Sequence, residues 1–425
     1  MIDFNLYLIL PVVILASYGL LVLLLAPAFP ARSRILGLIA LAGIGIAGFA
    51  LWRLWELWRQ AGQPIWTGRG MVRIDGLGLF VSFILLAVAG LTVLASTDFL
   101  ERERADHGEF YALVLIAAAG MIVLALTTHL LVVLVGLEVF SMSLYVLTGL
   151  TRTRVRSVEA ALKYFLLGAF SSGFLVYGLA LLYGASGSLE LGGIKAAASS
   201  APSSMFWIGM GLVFVGFAFK IGAVPFHQWI PDVYEGAPTN VTGFMAAATK
   251  TAVFVALLRL LLGAFSAQAP MWTPLVTWMA VLTMTVANLV ALSQNNIKRM
   301  LAFSSIAHAG YLFIALVCNP KDGVPAILFY LTAYAFMTVG VFAIAGWVGR
   351  GDATSESGYD VASWAGLGRS RPVLATAMTV FLLSLAGMPP TGGFLGKYLI
   401  FQAAIRSQQY MLAVVGVVNA VIAAY

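Results

Sequence analysis

The chain is poor in charge and nearly without cysteine. Among its 425 residues there are 17 Asp and Glu, 24 Lys and Arg, 4 His and 1 Cys. Charged residues make up 10% of the chain, against roughly a quarter in soluble globular proteins. So small a supply does not cover a water-facing surface of ordinary size. The single cysteine, Cys318, sits inside an apolar run. That excludes a disulfide framework and any Cys-ligated iron–sulfur or zinc site within the chain. Ligand patterns for haem or flavin are missing too. Alternating apolar and polar segments are too few for an outer-membrane barrel. No basic segment precedes the first apolar stretch, so the run after MIDFN reads as a first span and not as a cleaved leader.

In place of charge there is oil. The composition is 61% hydrophobic and the mean hydropathy is +0.97. Apolar runs at 6–26, 35–52, 77–97, 110–128, 130–150, 160–183, 205–226, 240–262, 273–293, 301–318, 324–348, 372–405 and 411–425 read as spans. Each approaches or exceeds the roughly 20 residues that cross a hydrocarbon core. The fold class expected is an all-α polytopic membrane protein with about 13–14 transmembrane helices. The last run stops at Tyr425 with no polar flank, so the chain is expected to continue. The net charge of +7 points to loops and lipid headgroups and not to nucleic acid.

Two spans are interrupted. Pro225 breaks the seventh, in KIGAVPFHQWIPDVYEG, and GMPPTGGFLGK breaks the twelfth. Prolines remove backbone donors and glycines loosen what remains. Such breaks persist at membrane depth only beside protein or water. Each break has a lysine close by, and the two lie five spans apart. That spacing predicts two inverted five-helix repeats, spans 4–8 and 9–13, with discontinuous helices 7 and 12 and an ion or substrate site near the midplane. The domain division expected is 1–109, an N-terminal three-span segment, then 110–263 and 264–425, the two repeats. Odd-numbered connections carry more Lys and Arg, among them Arg152, Arg154, Lys298 and Arg299, than even ones with Arg53, Arg59 and Arg73. The positive-inside rule then places the N-terminus outside.

A few charges remain within or near spans: Glu138, Lys163, Lys220, Lys250 and Lys397. A charge at the bilayer centre costs from about 2.5 to well over 10 kcal/mol, against a net stability of about 5–15 kcal/mol. Groups that costly face inward toward partners or water. Arginine does not release its proton inside a protein, whereas lysine can. A row of lysines with one glutamate therefore suits handing protons along. A Glu138–Lys220 pair is expected, its making and breaking timing the transfer. His308, within the tenth span, suits a relay, and His227 lies just past Pro225. Some features have plainer readings. Lys163, four residues after Glu159, equally suits an ion pair at a helix start. Asp232 and Glu235 read as a solvated loop, His129 as interfacial, and GIGIAG at 43–48 as helix packing.

These same stretches carry a resemblance. KIGAVPFHQWIPDVYEGAPTNVTGFMAAATK, NNIKRMLAFSSIAHAGY and GMPPTGGFLGKYLIF resemble the antiporter-like subunits of respiratory complex I. EAALKYFLLGAFSSGFLVYGLALLYGASGSL is similar to the subunit N branch in particular. The resemblance implies proton-transfer roles for Glu138, Lys163, Lys220, His227, Lys250, His308 and Lys397. It implies a membrane-arm subunit of NADH:quinone oxidoreductase, a proton-pumping translocase, in a bacterial inner membrane with its N-terminus periplasmic. No cofactor is expected in this chain; NADH, flavin, iron–sulfur clusters and quinone belong to other subunits. Antiporter-like subunit M and the small subunit K are the neighbours implied, with membrane lipids around them. The alternative reading is a subunit of a multisubunit sodium/proton antiporter.

Overall fold

A computed structural model describes residues 5–29, 33–103, 107–199, 202–349 and 356–424; Tyr425 lies outside them. In chain order the helices are α1 (Leu10–Leu25), α2 (Ser33–Ala61), α3 (Gly76–Glu103), α4 (His107–Leu126), α5 (Leu130–Thr148), α6 (Val155–Ser186), α7 (Leu191–Ala198), α8 (Ser204–Ile221) and α9 (Trp229–Gly236). There follow α10 (Thr239–Phe244), α11 (Lys250–Arg259), α12 (Ala269–Ala291), α13 (Ile297–Leu316) and α14 (Pro320–Val348). The last are α15 (Leu367–Ser370), α16 (Pro372–Ala386), α17 (Gly392–Arg406) and α18 (Tyr410–Ala424). A hairpin of β1 (Ile65–Thr67) and β2 (Val72–Ile74) joins α2 to α3. Among the described residues, 11 helices are long and apolar enough to cross a membrane, and α16 and α18 are shorter apolar helices. The protein is an all-α, multi-pass membrane protein.

The spans form where expected, with instructive shifts. α2 runs on to Ala61, so Arg53 and Arg59 ride its last turns and are not in a loop. The seventh span ends at Ile221, before Pro225 is reached, because Gly222 turns to φ +77°. The GIGIAG run lies inside α2. There a Cβ on Gly43 would stand 2.6 Å from the Tyr18 ring, so the glycine is a packing contact. The eighth span is α10 and α11 joined by a π-helical turn, Met245–Thr249, with a second such turn at Leu260–Ala264. Nothing in hydropathy signals these wider turns.

Contacts divide the chain into two compact units. One holds residues 1–220 and 251–269, the other 221–250 and 270–425. In the first unit the even connections meet. Val72 bridges Thr127, His129 bridges Glu190, and Gln268 Nε2 donates to the Ala198 carbonyl at 2.9 Å. In the second unit the odd connections meet at one end, where Asn296 bridges Asp360 and Thr239 bonds Tyr359. The even connections meet at the other end, through Asn319 N to Ser407 Oγ and Arg406 to Asp322. Within each unit, then, successive spans run fully from end to end. Outward faces are apolar: Leu24 is 78% exposed and Phe170 69%, as lipid-facing surface must be.

Candidate functional site

In the first unit, α5, α6 and α8 present the charges. Lys220, in the last turn of α8, is 3% exposed. Its Nζ donates to Ser141 Oγ at 2.8 Å and to the Tyr145 hydroxyl at 3.2 Å, and lies 5.6 Å from the Tyr145 ring centre. Glu138 Oε1 accepts from Ser172 Oγ of α6 at 2.5 Å. The direct Glu138–Lys220 contact expected from sequence is not formed. Lys220 reaches α5 one turn beyond Glu138, and Ser141 takes the position a carboxylate would have held. Glu138, Ser141 and Tyr145 lie at three- and four-residue steps on one helix face. That spacing was legible but unused in the sequence.

The second unit gathers more. Lys250, 2% exposed, follows the π-helical turn directly and donates to both the carbonyl and the hydroxyl of Ser305. Such turns widen a helix locally and recur where function needs a re-aimed side chain. The Tyr334 hydroxyl also donates to Ser305 Oγ, at 2.8 Å. His308, 3% exposed, shares a 2.5 Å hydrogen bond between Nδ1 and the Tyr330 hydroxyl. Its ring centre lies 5.0 Å from that of Tyr334 and 6.1 Å from that of Tyr311. Lys397, also 3% exposed, stands 4.7 Å from the Tyr311 ring centre.

The second helix break is built around Lys397. α16 stops at Gly387, φ +88°, where a Cβ would meet Lys397 Cδ at 2.8 Å. Thr391 then caps α17 by accepting from Phe394 N. Lys397 Nζ reaches back to the Ala386 carbonyl at 2.7 Å. The end of a half-helix carries unpaired carbonyls and partial negative charge, so α16 itself supplies the partner. Gly396 admits the Tyr330 ring, 2.7 Å from where its Cβ would be.

The remaining expected residues lie outside these clusters. Lys163 pairs with Glu159 at 2.7 Å, with 44% and 55% of the two side chains exposed. His227 is half-buried in the turn between α8 and α9, its Nδ1 without a hydrogen-bond partner. Asp232 and Glu235 are not in a solvated loop. They belong to α9, where Arg299 Nη1 holds them at 2.8 and 2.9 Å. His129 caps α5 by accepting from Leu131 N. Burial lowers its imidazole from the ordinary range, and Glu190 opposes the shift. Cys318 is buried, its thiol turned to the Ile314 carbonyl. Among the described residues no three His, Cys, Asp or Glu gather as an ion would need.

Sequence reasoning missed the hydroxyl partners altogether. Ser305 lies three residues before His308, and Tyr330 and Tyr334 four apart on α14. The signal existed as helical spacing, but only packing tells which faces meet.

The first unit also holds a closed ion pair. Arg259, the last residue of α11, makes a bidentate contact with Asp75, at 2.9 Å to Oδ2 and 2.6 Å to Oδ1, with Nε on the Ala125 carbonyl. Burial alone would raise the Asp75 carboxyl. The Arg259 hydrogen bonds and charge, the Gly78 N–H and Arg73 together outweigh it and hold the group below the ordinary carboxylate range.

With this geometry in view, the likenesses to known proteins carry meaning. The family described as NADH:quinone oxidoreductase/Mrp antiporter, TM, matches residues 127–423. The chain is 46% identical over 428 residues to NADH-quinone oxidoreductase subunit N of Trichlorobacter lovleyi, covering 99% of this chain and 85% of that one. It is 41% identical to subunit N 2 of Solibacter usitatus, covering 100% and 88%. Among solved structures, a chain of respiratory complex I from Thermus thermophilus superposes with a TM-score of 0.80 at 38% identity, covering 98% of this chain and 87% of that one. A chain of the Mrp complex from Dietzia shares the fold, with a TM-score of 0.83 at 22% identity over 98% and 78% of the two chains. The chain therefore belongs to the NADH:quinone oxidoreductase/Mrp antiporter family of membrane subunits, with the subunit N sequences of NADH-quinone oxidoreductase as its relatives.

Proposed function

We propose that this chain moves protons across the membrane as a membrane-arm subunit of NADH:quinone oxidoreductase, driven by electron transfer in other subunits. One observation carries the reading. Lys220, Lys250 and Lys397 are 2–3% exposed, and among the described residues the partners that their amines bond or face are hydroxyl, carbonyl and ring groups, with no carboxylate in direct contact. A hydroxyl donates as well as accepts. At Lys220 and Lys250 such a hydroxyl can serve the amine in either protonation state, and at Lys397 the Ala386 carbonyl accepts from it in both.

Glu138, Lys220, Lys250, His308 and Lys397 are the carriers in this proposal. A proton is taken up at Lys220 or Lys250, relayed by His308 and released at Lys397. Glu138, bonded to Ser172, sets the field in which Lys220 works. Lys163 and His227 join the set through the family resemblance alone. The same resemblance supports antiporter-like subunit M and small subunit K as neighbours. It also supports a bacterial inner membrane, a periplasmic N-terminus, and the placing of NADH, flavin, iron–sulfur and quinone sites in other subunits. Loop charge agrees with that orientation. The domain division proposed stays at 1–109, 110–263 and 264–425.

The test is the assembled complex with Lys220→Met in proteoliposomes, read as protons moved per electron passed to quinone. A lowered ratio in a complex of normal composition is expected. A wild-type ratio overturns the proposal.

A further inference from the structure

In the second unit His308 is bordered by three tyrosine rings. Their centres lie 5.8 Å (Tyr330), 5.0 Å (Tyr334) and 6.1 Å (Tyr311) from its own. Ring contacts fix where an imidazole sits, but not which nitrogen points where. A hydrogen bond does that, and here Nδ1 and the Tyr330 hydroxyl are 2.5 Å apart. The Tyr334 hydroxyl is turned to Ser305 instead. His308 also borders a small cavity with Ser304, Ser305 and Thr338. The imidazole thus has open space beside it, and its second side-chain torsion is a soft one.

Tyr330, on α14, is 0% exposed. Its ring is seated against the backbone of α17. A Cβ at Gly396 would stand 2.7 Å from the ring atom Cδ2 and 3.5 Å from Tyr330 Cα. Carbon atoms touch without strain at about 3.5–4.0 Å. Any side chain at 396 therefore pushes a fully buried ring by about 0.8 Å. Opened by that much, the 2.5 Å bond reaches about 3.3 Å, beyond the range of such a bond. Gly396 also precedes Lys397, whose Nζ is anchored on the Ala386 carbonyl. The half-helix that carries Lys397 thus also sets the partner of His308.

We infer that Tyr330, seated by Gly396, is a positioning residue for His308 and assigns Nε2 as the nitrogen that exchanges the relayed proton. The inference rests on the proton-transfer reading above. In the imidazolium both ring nitrogens donate, so the Tyr330 oxygen then accepts from Nδ1. Keeping that direction in the neutral ring leaves Nε2 bare, and the bond is not remade as a proton comes and goes. At each step one N–H bond forms at Nε2 as the donor's bond breaks, or the reverse, and nothing is oxidised or consumed. Tyr330 keeps its own proton throughout.

The test uses the intact complex in proteoliposomes, comparing Tyr330→Phe, Gly396→Ala, the two together, and His308→Gln. Tyr330→Phe keeps the ring and its seat on Gly396 and removes the hydroxyl. Proton translocation is expected to fall about tenfold in each of the first two. The double variant is expected to be no worse than Tyr330→Phe, because both act through one bond. The rate in H2O against D2O is a readout that a merely structural lesion does not move. That isotope effect is expected to rise in Tyr330→Phe, where transfer at a loosely held imidazole becomes the slow step. Wild-type translocation in Tyr330→Phe overturns the inference, and so does a tenfold loss at an unchanged isotope effect. Losses that multiply in the double variant overturn the part given to Gly396. If Gly396→Ala does not assemble, Tyr330→Phe decides alone, since it is nearly isosteric. Loss in His308→Gln with a wild-type Tyr330→Phe removes the positioning role and leaves the function standing. Wild-type translocation in His308→Gln removes His308 from the relay itself.

Discussion

α11 begins with Lys250 and ends with Arg259. Both side chains are nearly sealed from solvent, at 2% and 8%, yet their surroundings are opposite. Arg259 is locked bidentately to Asp75 and to a carbonyl. Lys250 bonds Ser305 and lies over the face of Tyr334, 5.4 Å from its ring centre. Where charge is permanent, the chain uses a guanidinium that keeps its proton and gives it a carboxylate. At the proposed carrier it uses an amine, held by the carbonyl and the hydroxyl of one serine. A buried ion pair holds structure because neither partner can leave. A buried amine among groups that donate and accept has two workable states.

The comparison breaks first at the clamp. Asp75→Asn strands a buried guanidinium and should destabilise the chain by about 3 kcal/mol or more, seen as a lower melting temperature of the purified complex. The clamp also has a pH signature. The folded Asp75 carboxyl is depressed, so its stabilisation is fully present above the unfolded value of about 3.9. It is lost as pH falls through the lower folded value. Wild type should therefore lose melting temperature on acidification more steeply than Asp75→Asn, and parallel curves would contradict the assignment.

Lys250→Met makes the opposite demand. An apolar side chain of similar length should leave stability nearly unchanged, while translocation falls about a hundredfold. If it unfolds the chain instead, Lys250 is a structural charge and the contrast with Arg259 collapses. Tyr334→Phe sharpens the picture. It keeps the ring beside Lys250 and removes one hydrogen bond to Ser305, worth about 1 kcal/mol. Translocation should fall about fivefold, in between the amine variant and wild type. The smallest effect belongs to Lys163. Its pair with Glu159 is half in the open, so Lys163→Ala should change stability by only a few tenths of a kcal/mol.

Much of this was legible beforehand, for a physical reason. A span must pair its backbone within itself, so runs such as α4 and α14 announce themselves through hydropathy alone. A lysine in such a run is equally plain, which is why Lys220, Lys250 and Lys397 stood out. The breaks were legible to within a few residues. Gly222 ends α8 before Pro225 is reached, because a turn into positive φ stops a helix as surely as a missing donor. The Glu138–Lys220 pair that the sequence leads one to expect is not a direct contact in this structure. Opposite charges in oil invite pairing on paper, but the reach of Lys220 from the last turn of α8 delivers it to Ser141. Asp232 and Glu235 were misplaced for a related reason: their partner Arg299 arrives from another helix. The π-helical turn before Lys250 had no signature in the residues themselves.

By itself, then, the chain of residues determined which segments enter the membrane, where helices stop, and which few groups carry charge into it, since each of these depends on neighbours within a turn or two. Which side chain each charge meets was settled only by packing. Lys250 and Ser305 are 55 residues apart, and Lys220 and Ser141 are 79 apart. No local rule reaches across such distances; only helices laid side by side bring those atoms within bonding range.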